Sequence, residues 1–509
     1  MAIKRYWATK DNTITNAYET NLRTRATGSN MGASDILEVF KIYGQKTTGS
    51  AAAAHEMMRF MIQFPVTGSA TYAEGMKSIK ADRTAGNIPA SGSVNFYLKL
   101  YNAVHSQTTP RNYELVGAAL DKDWDEGLGL DMDQYTDMNY GNAGSDWVSA
   151  SLGVKWTTAG GDWDYNDSSG FTASFDSGIE DMEVNITPIV EKWIAGTKNN
   201  YGLIVRLGPN QEGTSTARSY YTKKFFGRTS QYFLKRPVIE ARWNSSTADD
   251  RGNFYYSSSL ATLSDNLNTL YFYNYVRGRL RTIPLDDSEK LLVSLYSGSS
   301  GTPSGDKVLL AAGGNVAAAG DTNATASQVS TGVYAVSLSL TGSTSTLSTI
   351  YDVWQIEDGS AINEVFTGSF SPKSADNQVW SKEPTYVTTM PNLKKAYHRD
   401  DTARLRLYTR EKDWTPTIYT KASNTMQRSI IHSASYRVVR DIDGVEVIPF
   451  GTGSDLHTLM SHDVSGNYCE IDFNTMQAGF SYTIDFSFYD QALSSWVIQP
   501  HKFRFRVDK

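Results

Sequence analysis

Short runs in which apolar and polar residues alternate recur along the chain, and they limit its fold more than any other feature. In residues 94–100 every second side chain is apolar, and residues 482–488 and 501–507 follow the same pattern. A spacing of two places the apolar side chains on one face of a β-strand. The many Tyr, Phe, Ser, Thr and Gly residues suit short strands joined by turns. We therefore expect an all-β chain with half-buried antiparallel strands.

Size, charge and cysteine usage exclude several classes of protein. A chain of 509 residues is long enough for three or four domains at roughly 100–200 residues each. Its net charge of −6 argues against nucleic acid or an anionic membrane as a partner. The lone Cys469 cannot form an intramolecular disulfide, and no CxxC motif or Cys/His cluster offers a structural zinc site.

Membrane and export signals are also missing from the sequence. Nowhere do about 18 uncharged apolar residues follow one another, as a membrane-spanning helix requires. The basic start of the chain has no apolar segment behind it. We expect a chain that neither spans a membrane nor carries its own secretion signal.

One helix signal interrupts the strand pattern at residues 185–196. Thr187 can cap a helix, Pro188 suits its first turn, and Gly196 supplies a left-handed stop.

Near the other end of the chain, Asp443 and Gly444 lie between two β-branched runs and predict a hairpin turn.

Changes in composition divide the chain into four segments. We predict a sandwich over residues 1–244, a connector with one or two strands over 245–285, and two further sandwiches of immunoglobulin type over 286–378 and 379–509.

The segment NITPIVEKWIAGTKNNYGLIVRL (185–207), followed by FFGRTS and RPVIEA, resembles the closing half of a DNRLRE domain. The opening ATKDNTI (8–14) and the order of Trp124, Trp156 and Trp163 are similar to its first half. The resemblance covers roughly residues 1–244. It implies a jelly-roll sandwich related in shape to carbohydrate-binding modules and often found on bacterial surface and secreted proteins.

The whole chain also resembles large structural proteins of tailed bacteriophages, particularly marine ones. The phrases that carry this likeness are NMGASDILEVF (30–40), KKFFGRTS (223–230) and RLYTREKDWTPTIY (406–419). It implies a virion subunit of the tail, collar, baseplate or capsid surface. Its partners would be other virion structural proteins and, in a symmetric homo-oligomer, copies of itself.

Catalytic motifs are weak throughout. The seven histidines are scattered, and only His457 and His462 lie near each other, at a spacing that fits neither a helical metal pair nor one strand face. No Gly-x-Ser-x-Gly sequence has the strand-to-helix context of a nucleophile elbow. We expect loop histidines and no enzymatic activity.

Acidic residues and tryptophans are interleaved over residues 121–167. They are explained most simply by solvated loop acids beside core tryptophans, with a glycan-binding surface or a glycosidase carboxylate pair as alternatives. A hard cation such as Ca²⁺ is a further alternative, because the segments 131–137 and 162–170 alternate oxygen donors. Otherwise no cofactor is expected. The candidate ligands are Asp162, Asp164, Asn166 and Asp167.

Lys223, Lys224 and Arg228 flank two phenylalanines and could suggest nucleic acid, but a rim or hairpin edge is the simpler explanation in an acidic chain. The candidate interface residues are the tyrosines of the connector: Tyr255, Tyr256, Tyr271, Tyr273 and Tyr275. Tyrosine is favoured at protein interfaces. Packing between the two flanking sandwiches would explain the same residues equally well.

The sequence thus predicts a jelly-roll sandwich followed by two immunoglobulin-like sandwiches. We expect a non-enzymatic assembly subunit of a virion that acts through protein interfaces. The alternative is an attachment protein that binds host surface glycans.

Overall fold

The computed structural model describes residues 2–509 apart from 44–54, 69–70, 73–74, 105–108, 131–143, 165–166, 214–218, 287–288, 299–304, 341–346, 359–360, 375–384, 413–427 and 492. These residues form mainly antiparallel sheets, and the predicted all-β sandwich class is confirmed. Two compact units emerge, one of residues 2–244 with 453–457 and one of 245–452 with 458–509. None of the helices in the described residues is long and apolar enough to cross a membrane.

The first unit is a sandwich of two antiparallel sheets. Its strands are β1 (Ile3–Trp7), β2 (Lys10–Thr15), β3 (Ile36–Tyr43), β4 (His55–Gln63), β5 (Asn95–Leu100), β6 (Tyr113–Ala119), β7 (Ser149–Ser151), β8 (Val154–Lys155), β9 (Phe171–Phe175), β10 (Met182–Asn185), β11 (Leu203–Leu207), β12 (Ser219–Phe226) and β13 (Val238–Arg242). The smaller sheet has the order β1-β13-β5-β10. The larger has the order β12-β3-β4-β11-β6-β9, and β2 pairs with β4. Strands β7 and β8 form a separate hairpin.

The apolar core of this unit lies between its two sheets. Phe96 and Leu98 of β5 point into it as the alternation predicted, and they are fully buried together with Phe60 and Ile62 of β4. Strand β4 has buried residues on both faces, which explains its dense apolar sequence.

In the described part of this unit, three helices accompany the sandwich: α1 (Ile79–Thr84), α2 (Thr187–Ala195) and α3 (Pro209–Glu212). The prediction of α2 is confirmed, and Gly196 ends it with a left-handed φ of 78°. Thr187 does not cap the helix. Its Oγ1 accepts a hydrogen bond of 2.8 Å from the backbone N–H of Phe96, so it fastens the start of α2 to β5.

The second unit begins with a sandwich whose strands are β14 (Asn268–Tyr273), β15 (Tyr275–Val276), β16 (Arg279–Leu280), β17 (Lys290–Ser297), β18 (Ala324–Thr325), β19 (Ser327–Ser330), β20 (Val333–Leu338), β21 (Ile350–Asp358) and β22 (Ala361–Phe370). Its sheets have the orders β14-β20-β19 and β18-β17-β21-β22. Strand β14, which we expected in a connector, pairs with β20 along its whole length and contributes Leu270 and Phe272 to the core. We refer to this part as the middle sandwich.

The remaining strands form the C-terminal sandwich: β23 (Tyr386–Thr389), β24 (Ala396–His398), β25 (Thr402–Glu411), β26 (Ala434–Arg440), β27 (Glu446–Ile448), β28 (Ser461–Asp463), β29 (Gly466–Asp472), β30 (Phe480–Asp490), β31 (Ser495–Ile498) and β32 (Phe503–Asp508). One sheet has the order β23-β25-β29-β28, and the other β24-β32-β30-β26-β27 with β31 paired to β30. Short 3₁₀ helices lie at 233–235, 250–252, 264–266 and 473–475.

Two predictions for the C-terminal sandwich are confirmed. Strands β26 and β27 form a hairpin, and Gly444 in its turn has a φ of 70°. On β32, Phe505 and Val507 are buried while Arg504 and Arg506 are exposed.

Cys469 is buried on β29, and burial raises the pKa of its thiol to about 12.

Candidate functional site

The tryptophans of the acid-rich segment are core residues. Trp124, Trp147, Trp156 and Trp163 are buried together on the outer face of the larger sheet of the first unit, against Ile204 and its neighbours. Their rings are therefore not available for stacking on a sugar at the surface.

A guanidinium group holds part of this tryptophan cluster in place. The guanidinium carbon of Arg59 lies 5.0 Å from the ring centre of Trp147 and 4.9 Å from that of Trp163. Arg59 also pairs with Glu212 at 2.8 Å. A cation over two aromatic faces is attracted by both rings.

The carboxylates proposed as cation ligands are already supplied with protein donors. Asp167 accepts hydrogen bonds from Lys192 Nζ at 2.6 Å and Lys198 Nζ at 3.2 Å. Burial alone would raise the pKa of Asp167, but these ammonium groups and Ser169 hold it far below its usual range.

Asp162 is satisfied in a similar way. The backbone N–H groups of Thr157 and Thr158 donate to it at 2.8 and 2.9 Å, and Lys122 Nζ lies 3.0 Å away. Asn166 and the segment 131–137 lie outside the described residues. The two lysines beside Asp167 could not be identified from local sequence spacing, because Lys192 belongs to α2 and Lys198 follows it.

A polar cavity of about 590 Å³ opens beside Asp167. Two of the candidate cation ligands, Asp164 and Asp167, line this cavity. Acidic, cationic, amide and aromatic residues surround them: Asp121, Lys192, Lys198, Asn199 and Tyr201. Asp162 does not line it. The fold thus offers hydrogen-bond donors and acceptors around one ring, Tyr201, where sequence spacing alone showed only a run of acids.

Of the basic residues considered for nucleic acid, Lys223 serves the interior of the first unit, whereas Lys224 and Arg228 are partly exposed. Lys223 is fully buried instead of lying on a rim, and its Nζ donates to Asn102 Oδ1 and to the carbonyls of Gly178 and Glu180 at 2.6–3.0 Å. Burial lowers the pKa of Lys223 to about 8. Arg228 forms an ion pair of 2.8 Å with Glu126.

The five tyrosines proposed for an interface have different environments. Tyr256 is a core residue of the middle sandwich, which removes it from the set of possible surface contacts. Tyr255 is half-buried beside Lys373. Tyr271 and Tyr273 alternate with core residues on β14 and their rings stack at 6.4 Å.

The outer face of β14 lies against the C-terminal sandwich. Burial raises the pKa of Tyr273 above its usual range, and its neighbour Tyr468 on β29 adds to that rise. Tyr271 and Tyr273 therefore have the packing role that we considered as the alternative to an external interface.

Tyr275 alone of the five is well exposed, at 59%, and it stands on the β15–β16 hairpin next to Val276, which is 48% exposed. The turn residues Arg277 and Gly278 both have positive φ, at 52° and 76°. That is the geometry of a two-residue type I′ turn, which matches the twist of its strands.

One group of possible metal ligands was not foreseen from the sequence. Asp250, His432 and His462 bring one ligand atom each to within 4.8 Å of one another in the second unit. Sequence reasoning had no signal for it, because Asp250 and His462 are 212 positions apart.

Comparison with known proteins leaves the family open, since no protein-family model and no curated protein matches the chain. Matching solved structures include a Ca²⁺-stabilized adhesin that helps an Antarctic bacterium reach out and bind ice. It has 9% identity and a TM-score of 0.15, with 98% of this chain and 100% of that chain covered. Another is E. coli alpha-2-macroglobulin in its native conformation, with 7% identity, a TM-score of 0.15, and 97% and 28% covered. Function must therefore be inferred from the geometry of the chain itself.

Proposed function

We propose that the chain is a non-enzymatic structural subunit of a tailed-phage virion, in the tail, collar or baseplate or on the capsid. It acts through protein interfaces, next to other virion proteins and to symmetric copies of itself. The observation that carries this proposal is the exposed hairpin of residues 275–280.

The hairpin has the composition of an interface anchor. Tyrosine and arginine are enriched among the residues that dominate binding energy, and here Tyr275 and Val276 are followed by the exposed Arg277, Arg279 and Arg281. Burying an apolar side chain contributes roughly 25 cal/mol per Å². Three arginines fit an acidic neighbouring surface, and a rigid turn lowers the entropy cost of docking.

A long edge strand offers a second contact of the same kind. Strand β22 pairs with β21 on one side, and among the described residues no strand pairs with its other side. Unpaired backbone groups on an edge can accept a strand from a neighbouring chain.

The proposal is tested by purifying particles from a lysate that contains the chain. We expect the chain to band with tailed particles at a fixed copy number in a density gradient, as measured by mass spectrometry. The double variant Y275S/V276T should fold normally by circular dichroism yet be lost from the particles. The matched control is Tyr220→Ser, because Tyr220 is also exposed but lies on β12 of the first unit.

Two results would contradict the proposal. One is a chain that never bands with particles. The other is a folded Y275S/V276T variant that is incorporated as well as the unchanged protein.

A carbohydrate-binding attachment protein is the second candidate, favoured by the polar cavity beside Asp167. Its carboxylates, ammonium groups and the amide of Asn199 could bond sugar hydroxyls next to the ring of Tyr201. A glycan array should then show binding that Asn199→Ala weakens several-fold. Absence of any bound glycan would remove this candidate.

A further inference from the structure

Three side chains from distant parts of the chain meet in the second unit. Asp250 begins the 3₁₀ helix 250–252, His432 lies two residues before β26, and His462 is the middle residue of β28. Their potential ligand atoms all lie within 4.8 Å of one another. His462 Nε2 and Asp250 Oδ1 are 3.3 Å apart, and the two imidazole rings are perpendicular with centres 4.9 Å apart.

The surrounding backbone fixes two of these groups. Asp250 Oδ2 accepts a hydrogen bond of 2.7 Å from the backbone N–H of Thr269, which turns Oδ1 toward His462. The N–H of His462 donates to the Thr247 carbonyl at 3.0 Å, and its carbonyl accepts from the N–H of Asp249 at 3.1 Å. The bond to the carboxylate is of the kind that orients metal ligands in proteins. The two backbone bonds hold β28 against residues 247–249.

The third group is positioned by a side chain and remains accessible. Asn253 Nδ2 lies beside Nε2 of His432, and Asn253 Oδ1 accepts a hydrogen bond of 2.8 Å from Lys373 Nζ. His432 is exposed, Asp250 half-buried and His462 buried. An ion could therefore enter from the side of His432.

The donor set favours a particular class of ion. Two imidazoles and one carboxylate suit Zn²⁺ and related transition metals, whereas Ca²⁺ takes oxygen ligands. With metal–ligand bonds of about 2.0–2.1 Å, tetrahedral ligands lie roughly 3.3–3.5 Å apart. The His462–Asp250 pair already has this separation.

We infer that Asp250, His432 and His462 together bind one divalent transition-metal ion of the zinc class, with water completing the coordination. The ion fastens the segment after residue 245 to the C-terminal sandwich. That segment already runs parallel to β28 through the bridge between Ala248 and His462, so the ion closes a junction that the backbone has formed. This inference is independent of the proposed virion role.

The test uses the full chain after treatment with a chelator. Calorimetric titration with Zn²⁺ should show one ion per chain, and Co²⁺ should give a visible absorption band of low coordination number. The variants Asp250→Asn and His432→Gln should each weaken Zn²⁺ binding at least tenfold and abolish the Co²⁺ band. His501→Gln is the matched control, since His501 is exposed and outside the cluster, and it should bind like the unchanged protein.

Thermal unfolding gives a second measurement. Zn²⁺ should raise the midpoint of the unchanged protein and of His501→Gln, and it should leave the midpoints of the two cluster variants where they are. Asp250→Asn keeps the shape of the side chain and His432 is exposed, so at least His432→Gln should fold. Failure of the unchanged protein to bind Zn²⁺, or equal affinity in a folded His432→Gln variant, would overturn the inference.

Discussion

Glu240 is fully buried on the face of the smaller sheet that is turned away from the apolar core of the first unit. Arg5 and Arg242 approach its carboxylate to 2.8 and 2.6 Å, and Lys99 to 3.9 Å. Burial alone would raise the pKa of Glu240, but these three cations lower it. These cations therefore favour the charged form of the carboxylate.

Replacing Glu240 by Gln should lower the free energy of unfolding by about 3–5 kcal/mol, because the cations around it lose a buried carboxylate partner and Glu183 remains beside only Arg242 and Lys99. Urea unfolding measures the change. The control is Glu446→Gln, which removes an exposed partner of Arg437 and should cost about 0–1 kcal/mol. Equal effects of the two substitutions would show that the network contributes nothing.

Asp11 has the opposite pKa shift. Burial, then the neighbouring Glu126, raise the pKa of Asp11 to about 7 despite the hydrogen bond from the Arg228 N–H. Between the pKa of unfolded Asp11 near 4 and its folded pKa of about 7, the folded state therefore holds a proton that the unfolded state has released. Stability is lost as the pH rises from the unfolded pKa near 4 to the folded value near 7, and the loss is constant above that.

Asp11→Asn should consequently stabilise the protein, by little at pH 4 and by about 2–4 kcal/mol at pH 8. The Asn oxygen can still accept the hydrogen bond from Arg228. Unfolding curves at the two pH values measure the difference. A gain that does not depend on pH would mean that Asp11 titrates normally in the folded protein.

Sequence pattern foretells little at this scale. Alternation places Glu240 opposite Ile239 and so predicts an exposed carboxylate, yet basic side chains from β1 and β5 cover it. In the same way the sequence predicts a surface position for Lys223, but in the structure its ammonium group donates to the buried carbonyls of Gly178 and Glu180. Partners that lie far away in sequence decide both outcomes.

At the scale of single elements, local signals work well. The strand over 95–100, the helix over 187–195 and the turn at 443–444 all lie where periodicity and turn residues place them. The sequence predicts strands in the segment that holds β14 but places that segment in a connector. Its partner β20 is about sixty residues further along the chain, so nothing near β14 shows that it belongs to a sandwich. The pairing of a strand is not encoded in its own residues.

Glycines with a positive φ end some of these elements, and replacing them by alanine should lower the stability of the protein by a measurable amount. Gly196 has a φ of 78°, and a Cβ built there meets nothing within 4 Å, so Gly196→Ala is purely a conformational change. It should lower stability by about 1–2 kcal/mol in thermal or urea unfolding. Gly444→Ala, at a φ of 70°, should behave alike.

Gly453→Ala provides the comparison, because that position is also open but its φ lies outside the left-handed region. It should be nearly neutral. A neutral Gly196→Ala would mean that the end of α2 adapts without strain.

For the whole molecule, the main question is which parts fold by themselves. Among the described residues, the buried core between the two sheets of the first unit comes from residues 6–241. A fragment of residues 1–244 should therefore fold alone, with a cooperative unfolding transition and a near-ultraviolet circular dichroism signal from its buried tryptophans.

A shorter fragment of residues 1–180 is the control. It lacks β10, β11, β12 and β13. Because β13 lies between β1 and β5 in the smaller sheet, the fragment should not unfold cooperatively. If residues 1–244 behave like this shorter fragment, the first unit depends on the rest of the chain.

The site was the least predictable part of the molecule. The acids of residues 162–167 can be picked out from the sequence, but the lysine partners of Asp167 come from α2 and the turn after it, and the lysine beside Asp162 is Lys122. The group of Asp250, His432 and His462 exists only because the segment 247–249 lies along β28. No local spacing signals such an arrangement.

The position of the lone thiol has a practical consequence. Cys469 is buried on β29 opposite Leu405, and its raised pKa keeps it protonated at neutral pH. The thiolate is the form that attacks an alkylating reagent, so modification must wait until the C-terminal sandwich opens. The rate at which a maleimide labels the native chain therefore reports the opening of that one sandwich, without any engineered probe.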